Sequence, residues 1–102
     1  MLVVRFKVRC QPGRTGEVAA AMATVARASR SLPGVVHFDV ARDLTDDEAV
    51  IAVEVFEDRD AMTRQEAQPE VARVVELLQA GAAAAAPEWT IYEIASAESP
   101  AL

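Results

Sequence analysis

The chain has 102 residues, which suits one domain with a thin core that a second subunit would help to complete. Ten Lys and Arg against sixteen Asp and Glu leave a net charge of −6, which argues against the basic face that nucleic acid or an anionic membrane surface requires. Hydrophobic residues make up 52%, too many for a disordered chain, yet no apolar run approaches the ~20 residues of a membrane-spanning helix.

The first residues, MLVVRFKVRC, interleave charges with apolar side chains instead of placing them ahead of an apolar run. That is not a signal-peptide layout, and a cytoplasmic protein is expected. One cysteine, Cys10, and one histidine, His37, exclude an intramolecular disulfide and make a zinc site implausible.

In residues 2–10, Val4, Phe6, Val8 and Cys10 alternate with Arg5, Lys7 and Arg9, the period-two pattern of a half-buried strand. QPGRTG breaks it. From Arg14 to Ser31 the spacing turns helical, with Val18, Met22 and Val25 on one face and Glu17, Arg27 and Arg30 on the other. Thr15 is the expected N-cap, and Pro33 with Gly34 ends the helix near Leu32. Residues 35–42, VVHFDVAR, form a second strand, with Val36, Phe38 and Val40 opposite Val35, His37, Asp39 and Ala41. DLTDDE is a polar turn, and AVIAVEVF, 49–56, is a more uniformly apolar third strand that makes a hairpin with the second.

Asp58 caps a short helix from Arg59 to Ala67. Pro69 starts a further helix, 69–83, with Val71, Val74, Val75 and Leu78 as its apolar stripe. AGAAAAAP, 80–87, is a frayed helix end and linker. EWTIYEIA, 88–95, is the last strand, and residues 96–102 are a flexible C-terminal tail. The order is β-α-β-β-α-β with an extra short helix: a ferredoxin-like α+β fold with one four-stranded antiparallel sheet and helices on one face. The other face needs cover, which a second subunit would supply.

Three stretches resemble one family. LPGVVHFDV resembles its Leu-Pro-Gly signature before the second strand, AVIAVEVFEDRDAM its third strand and acidic helix cap, and QEAQPEVARVVELL its proline-broken helix. The family is the antibiotic biosynthesis monooxygenase group of dimeric α/β-barrel proteins, and the resemblance spans residues 1–95. It implies a homodimer whose two sheets pack into a barrel, and an apolar pocket in each subunit between sheet and helices. It implies oxygenation of an electron-rich aromatic by molecular oxygen without flavin, heme or metal, so no cofactor is expected. Such a site must bind the aromatic, stabilise its deprotonated form and exclude water.

Several positions depart from the family pattern. Phe56 stands where many members have tryptophan, Gln65 and Glu66 where many carry a helix histidine, and Glu70 where a second histidine often follows the proline. The asparagine of the heme-degrading branch falls near Phe6. No histidine stands where iron would take an axial ligand, which points away from heme degradation.

The candidate catalytic residues are His37 and Tyr92. His37 could accept a phenolic proton, or could lie on a strand face at the dimer interface. Tyr92 could hydrogen-bond a substrate oxygen, and Trp89, facing the other way, could line an aromatic pocket; both could instead be packing residues. Phe56, Met62, Gln65, Glu66 and Trp89 are the candidate substrate-binding residues, with Met62 and either Gln65 or Glu66 facing inward. Glu54, a carboxylate inside an apolar strand, is either a general base or half of an ion pair with Arg5, Lys7 or Arg9. Cys10 is a small core residue. The leading reading is an oxygenase of quinol-like or polyketide-type aromatics. The alternatives are a non-catalytic dimer that binds a small apolar or aromatic molecule, and an accessory subunit that pairs with another protein.

Overall fold

A computed structural model describes residues 1–101. The elements run β1 (Leu2–Arg9), α1 (Thr15–Ser29), β2 (Val35–Asp43), β3 (Asp46–Phe56), α2 (Arg59–Glu66), α3 (Pro69–Leu77) and β4 (Glu88–Glu93). The sheet order is β2-β3-β1-β4 with every neighbour antiparallel, the expected ferredoxin-like α+β fold. Residues 97–101 form no helix or strand, and Leu102 of the expected tail lies outside the described residues.

Alternation in β1 decides which face is buried. Leu2, Val4 and Val8 pack with Val18, Met22 and Val25 of α1 in one core. Each such apolar side chain contributes about 1.5–3 kcal/mol when fully buried. Arg5, Lys7 and Arg9 point to the opposite, outer face, where they pair with acids.

Four local expectations are corrected. Arg14, not Thr15, occupies the N-cap of α1, and it makes no side-chain cap. Thr15 is the first helical residue, and its side chain is buried. In β2 a register shift between Val35 and His37 turns Val35 toward the core and leaves Val36 exposed, the reverse of strict alternation. The β2–β3 turn shrinks to Leu44 and Thr45, because the Asp43 Oδ1 accepts from both the Thr45 N–H (2.8 Å) and its hydroxyl (2.7 Å). Strand β3 therefore begins at Asp46. The helix expected over 69–83 ends at Leu77 and continues as a wide turn, Leu78–Ala82, broken at Gly81 (φ 105°).

The short-helix start is as expected. Asp58 accepts from the Ala61 N–H at 2.9 Å, and Pro69 opens α3. Gly34 precedes β2 at φ 83°, where a Cβ would lie 2.5 Å from the Ala61 Cβ of α2. Both the backbone conformation and the close approach demand glycine.

Candidate functional site

The helices do not close fully on the sheet. Between them lies a cavity of about 760 Å³, within the range of small-molecule sites. Its space arises on the central strands. Ala52 of β3 is flanked by Phe6 of β1 and Val40 of β2, so a methyl group stands where a large side chain would fill the gap. Trp89 of β4, paired with Phe6, extends the aromatic wall. Met22 and Val25 of α1 and Val74 of α3 lie opposite. The alanine run 83–86 with Pro87 is a wall of this cavity, and not merely the linker that its composition implies.

Four polar side chains line the apolar space besides Trp89: Glu54, Gln65, Glu66 and Gln79. Glu54 sits on β3 directly between Val4 and Phe38. It makes no ion pair or side-chain hydrogen bond among the described residues, because the three expected cations are on the outer face. Arg5 pairs with Glu88 (3.7 Å), Lys7 with Asp43 (2.8 Å) and Arg9 with Asp46 (3.3 Å). The expected ion pair of Glu54 is thereby corrected. Burial, and then the negative charge of Glu66, push the Glu54 carboxyl up to about 7. Burial also raises Glu66, which stands at the rim.

Gln65 is only 2% exposed and held by a chain of hydrogen bonds across all three helices. Its Nε2 donates to the Ser29 Oγ (3.1 Å), which donates to the Gln68 Oε1 (3.0 Å), while the Gln68 Nε2 donates to the Ala28 carbonyl (3.2 Å). Each such buried bond is worth about 1 kcal/mol net, but leaving one partner unsatisfied costs about 1–3 kcal/mol. The chain fixes Gln65 in the cavity wall.

Of the residues singled out in the sequence, Gln65, Glu66 and Trp89 come together around the cavity. Phe56 (0% exposed) and Met62 (6%) belong to the packed core behind it and do not line it. His37 and Tyr92 are placed elsewhere: His37 pairs with Val55 and Tyr92 with Val3, on the outer sheet face. The sheet itself separates both from the cavity of this protomer, so they do not share its lining with Gln65 and Trp89. Ser29, Gln68 and Ala52 were not anticipated as site residues. The sequence carries only a faint signal for Ser29, a hydroxyl at a helix position whose spacing marks the buried face.

The sequence pattern of the family described as antibiotic biosynthesis monooxygenase matches residues 1–77, three quarters of the chain. The chain belongs to that family. No curated protein matches it. Among solved structures, a Deinococcus radiodurans protein, assigned to antibiotic biosynthesis monooxygenase without proof of activity, is 19% identical with a TM-score of 0.87, covering 99% of each chain. A second protein, named antibiotic biosynthesis monooxygenase, is 20% identical with a TM-score of 0.83, covering 94% of this chain and 100% of its own. The Mycobacterium tuberculosis protein Rv0793 is 12% identical with a TM-score of 0.85, covering 96% of this chain and 98% of its own. At such identities these likenesses establish the fold, while activity rests on the site of the family member at hand. No helix among the described residues is long and apolar enough to cross a membrane.

Proposed function

We propose that this family member is a homodimeric, cofactor-independent oxygenase that acts on an electron-rich phenolic aromatic, of quinol or polyketide type, bound in the cavity. The observation that carries the proposal is Glu54, a carboxylate without a cation in an apolar cavity, its carboxyl pushed up to about 7. A base with that proton affinity is matched to neutral pH. It takes the place of the absent helix histidine.

In this mechanism a phenolic O–H of the substrate donates to the Glu54 carboxylate. The proton passes within the site, so the negative charge moves from Glu54 to the substrate and no charge is added. A phenol near 10 against a base near 7 makes the transfer uphill by about 3 units, ~4 kcal/mol. That is small beside the roughly 16 kcal/mol barrier of a turnover near 10 per second. The phenolate gives one electron to oxygen, the two radicals join as a peroxide anion on a ring carbon that carries hydrogen, the peroxide takes the proton back from Glu54, and loss of water with that carbon's hydrogen leaves a new carbonyl. One oxygen atom enters the product and the other leaves as water. Gln65 and Trp89 hold the ring, and the alanine wall keeps water out.

The test is oxygen consumption by purified protein with hydroquinones and anthrones, measured against heat-denatured protein because quinols autoxidise. Uptake above that control, lost in Glu54→Gln and kept in His37→Ala and Tyr92→Phe, supports the proposal. Saturable binding with no uptake favours the binding-protein alternative instead.

A further inference from the structure

The cavity has an unbalanced charge. Its only ionisable lining residues are Glu54 and Glu66, and no Lys, Arg or His lines it. Two arginines of the helix layer are engaged elsewhere: Arg30 donates to the Phe38 carbonyl and Arg64 to the Pro33 carbonyl. Gln65 adds a third acceptor. Its Nε2 is committed to Ser29, its Oε1 has no hydrogen-bond partner among the described residues, and the residue is 2% exposed and lines the cavity. Glu54, Glu66 and Gln65 thus line one apolar space. Among the described residues no group of three or more His, Cys, Asp and Glu side chains could hold a metal ion. Hard cations such as calcium take six to eight oxygen ligands. A positive group that arrives on an apolar body fits better.

We propose that the cavity selects aromatic ligands that carry a basic nitrogen, with the ammonium seated between Glu66 at the rim and the Gln65 carbonyl oxygen, and the ring against Trp89 and Phe6. This rests on the reading that the cavity binds an aromatic. An ammonium is a donor only, and it meets acceptors that no side chain of the protein satisfies. Its charge also supplies what the oxygenation lacks: it favours the ionised form of Glu54, ready to accept a proton, and offsets the negative charge of a phenolate. Ligands that carry a carboxylate would meet like charge in a low-dielectric space and are rejected.

The experiment is calorimetric titration of the intact protein, at about pH 7.5, with 1-naphthylmethylamine, 1-naphthylmethanol and 1-naphthoate. The three share a ring system and differ chiefly in the polar end. A charge-assisted hydrogen bond is worth about 1.5–3 kcal/mol, so the amine should bind roughly tenfold or more tighter than the alcohol, and the carboxylate most weakly. Glu66→Gln, at an exposed position where folding is undisturbed, should remove the amine's advantage and leave the alcohol unchanged. A role of Glu66 in packing alone would weaken both. Equal binding of amine and alcohol, or tightest binding of the carboxylate, overturns the charge selection and leaves the aromatic cavity standing. Binding of none overturns both.

Discussion

The two faces of the sheet treat charge in opposite ways. On the outer face each cation of β1 finds an acid: Arg5 meets Glu88, Lys7 meets Asp43, and Arg9 meets Asp46 and Glu48. On the cavity face Glu54 and Glu66 find no cation. An exposed pair such as Arg5–Glu88 contributes about 0–1 kcal/mol, and the pairing leaves that face electrically quiet. A carboxylate kept from water and from cations retains a raised proton affinity, which an ion pair would erase. The same residue type is therefore paired with cations in one place and stands without one in the other. The difference comes from which side of the pleat each residue occupies.

Exchanging the chemistry of the two faces gives the largest expected effect. Glu54→Gln should lower oxygen uptake by about 10²–10⁴-fold, the usual contribution of a positioned base. His37→Ala and Tyr92→Phe on the outer face should leave it within about twofold. Parallel rate losses in all three would merge the two faces into one site and refute the division.

Next in size is a change to what covers the cavity face. Gly34→Ala brings a Cβ onto Ala61 of α2 at a positive φ, whereas Gly13, with a positive φ of 82°, has nothing within 4 Å. The first should destabilise by about 3 kcal/mol and the second by about 1 kcal/mol, read from denaturant midpoints.

The pH dependence of stability should differ in sign between the faces. The Glu54 carboxyl rises from 4.5 unfolded to about 7 folded. The folded chain therefore holds a proton that the unfolded chain releases. Its stabilising contribution is complete below the unfolded value and is lost as pH rises through the folded one. Glu54→Gln should thus be more stable than the parent by on the order of 2 kcal/mol near pH 8, with no advantage near pH 4. Asp43 runs the other way. The Lys7 hydrogen bond and then Thr45 hold its carboxyl well below the usual range, so its contribution is present above its unfolded value of 3.8 and is lost as pH falls. Asp43→Asn should cost stability at neutral pH and progressively less in acid. Urea titrations at several pH values would separate the two signs.

The smallest effect probes the cavity's origin. Ala52→Leu should fill the gap between Phe6 and Val40 and weaken binding of an aromatic about tenfold, while the fold survives because the added carbons enter existing space. Unchanged affinity would move the binding site elsewhere.

Much of the fold was legible because its signals are local. The alternation of β1, the Asp58 cap and Pro69 at a helix start each depend on a few neighbouring residues. The family resemblance then joined them into one topology. The bulge at Val36 was not legible, since it is a mismatch between two strands and leaves no mark on one. The cavity was also hidden. It depends on Ala52 standing beside Phe6 and Val40, a matter of register that periodicity does not supply. Glu54 stood out as an oddity, but its isolation required knowing that it pairs with Val4, and hence faces away from Arg5 and Lys7. Ser29, Gln65 and Gln68 lie up to 39 positions apart and become one unit only when three helices converge.

Trp89 rides on β4, and β4 is an edge strand paired with β1 alone. One wall of the cavity is thus attached along a single seam of backbone hydrogen bonds, and seams at an edge fray at lower free energy than the centre of a sheet. An occupant could leave by parting that seam, with α1 and α3 undisturbed. Amide hydrogens along β1–β4 should then exchange faster than those between β1 and β3, the central pair of the sheet, and a bound aromatic should slow the first set selectively. The rate of release would be set by the breathing of one strand.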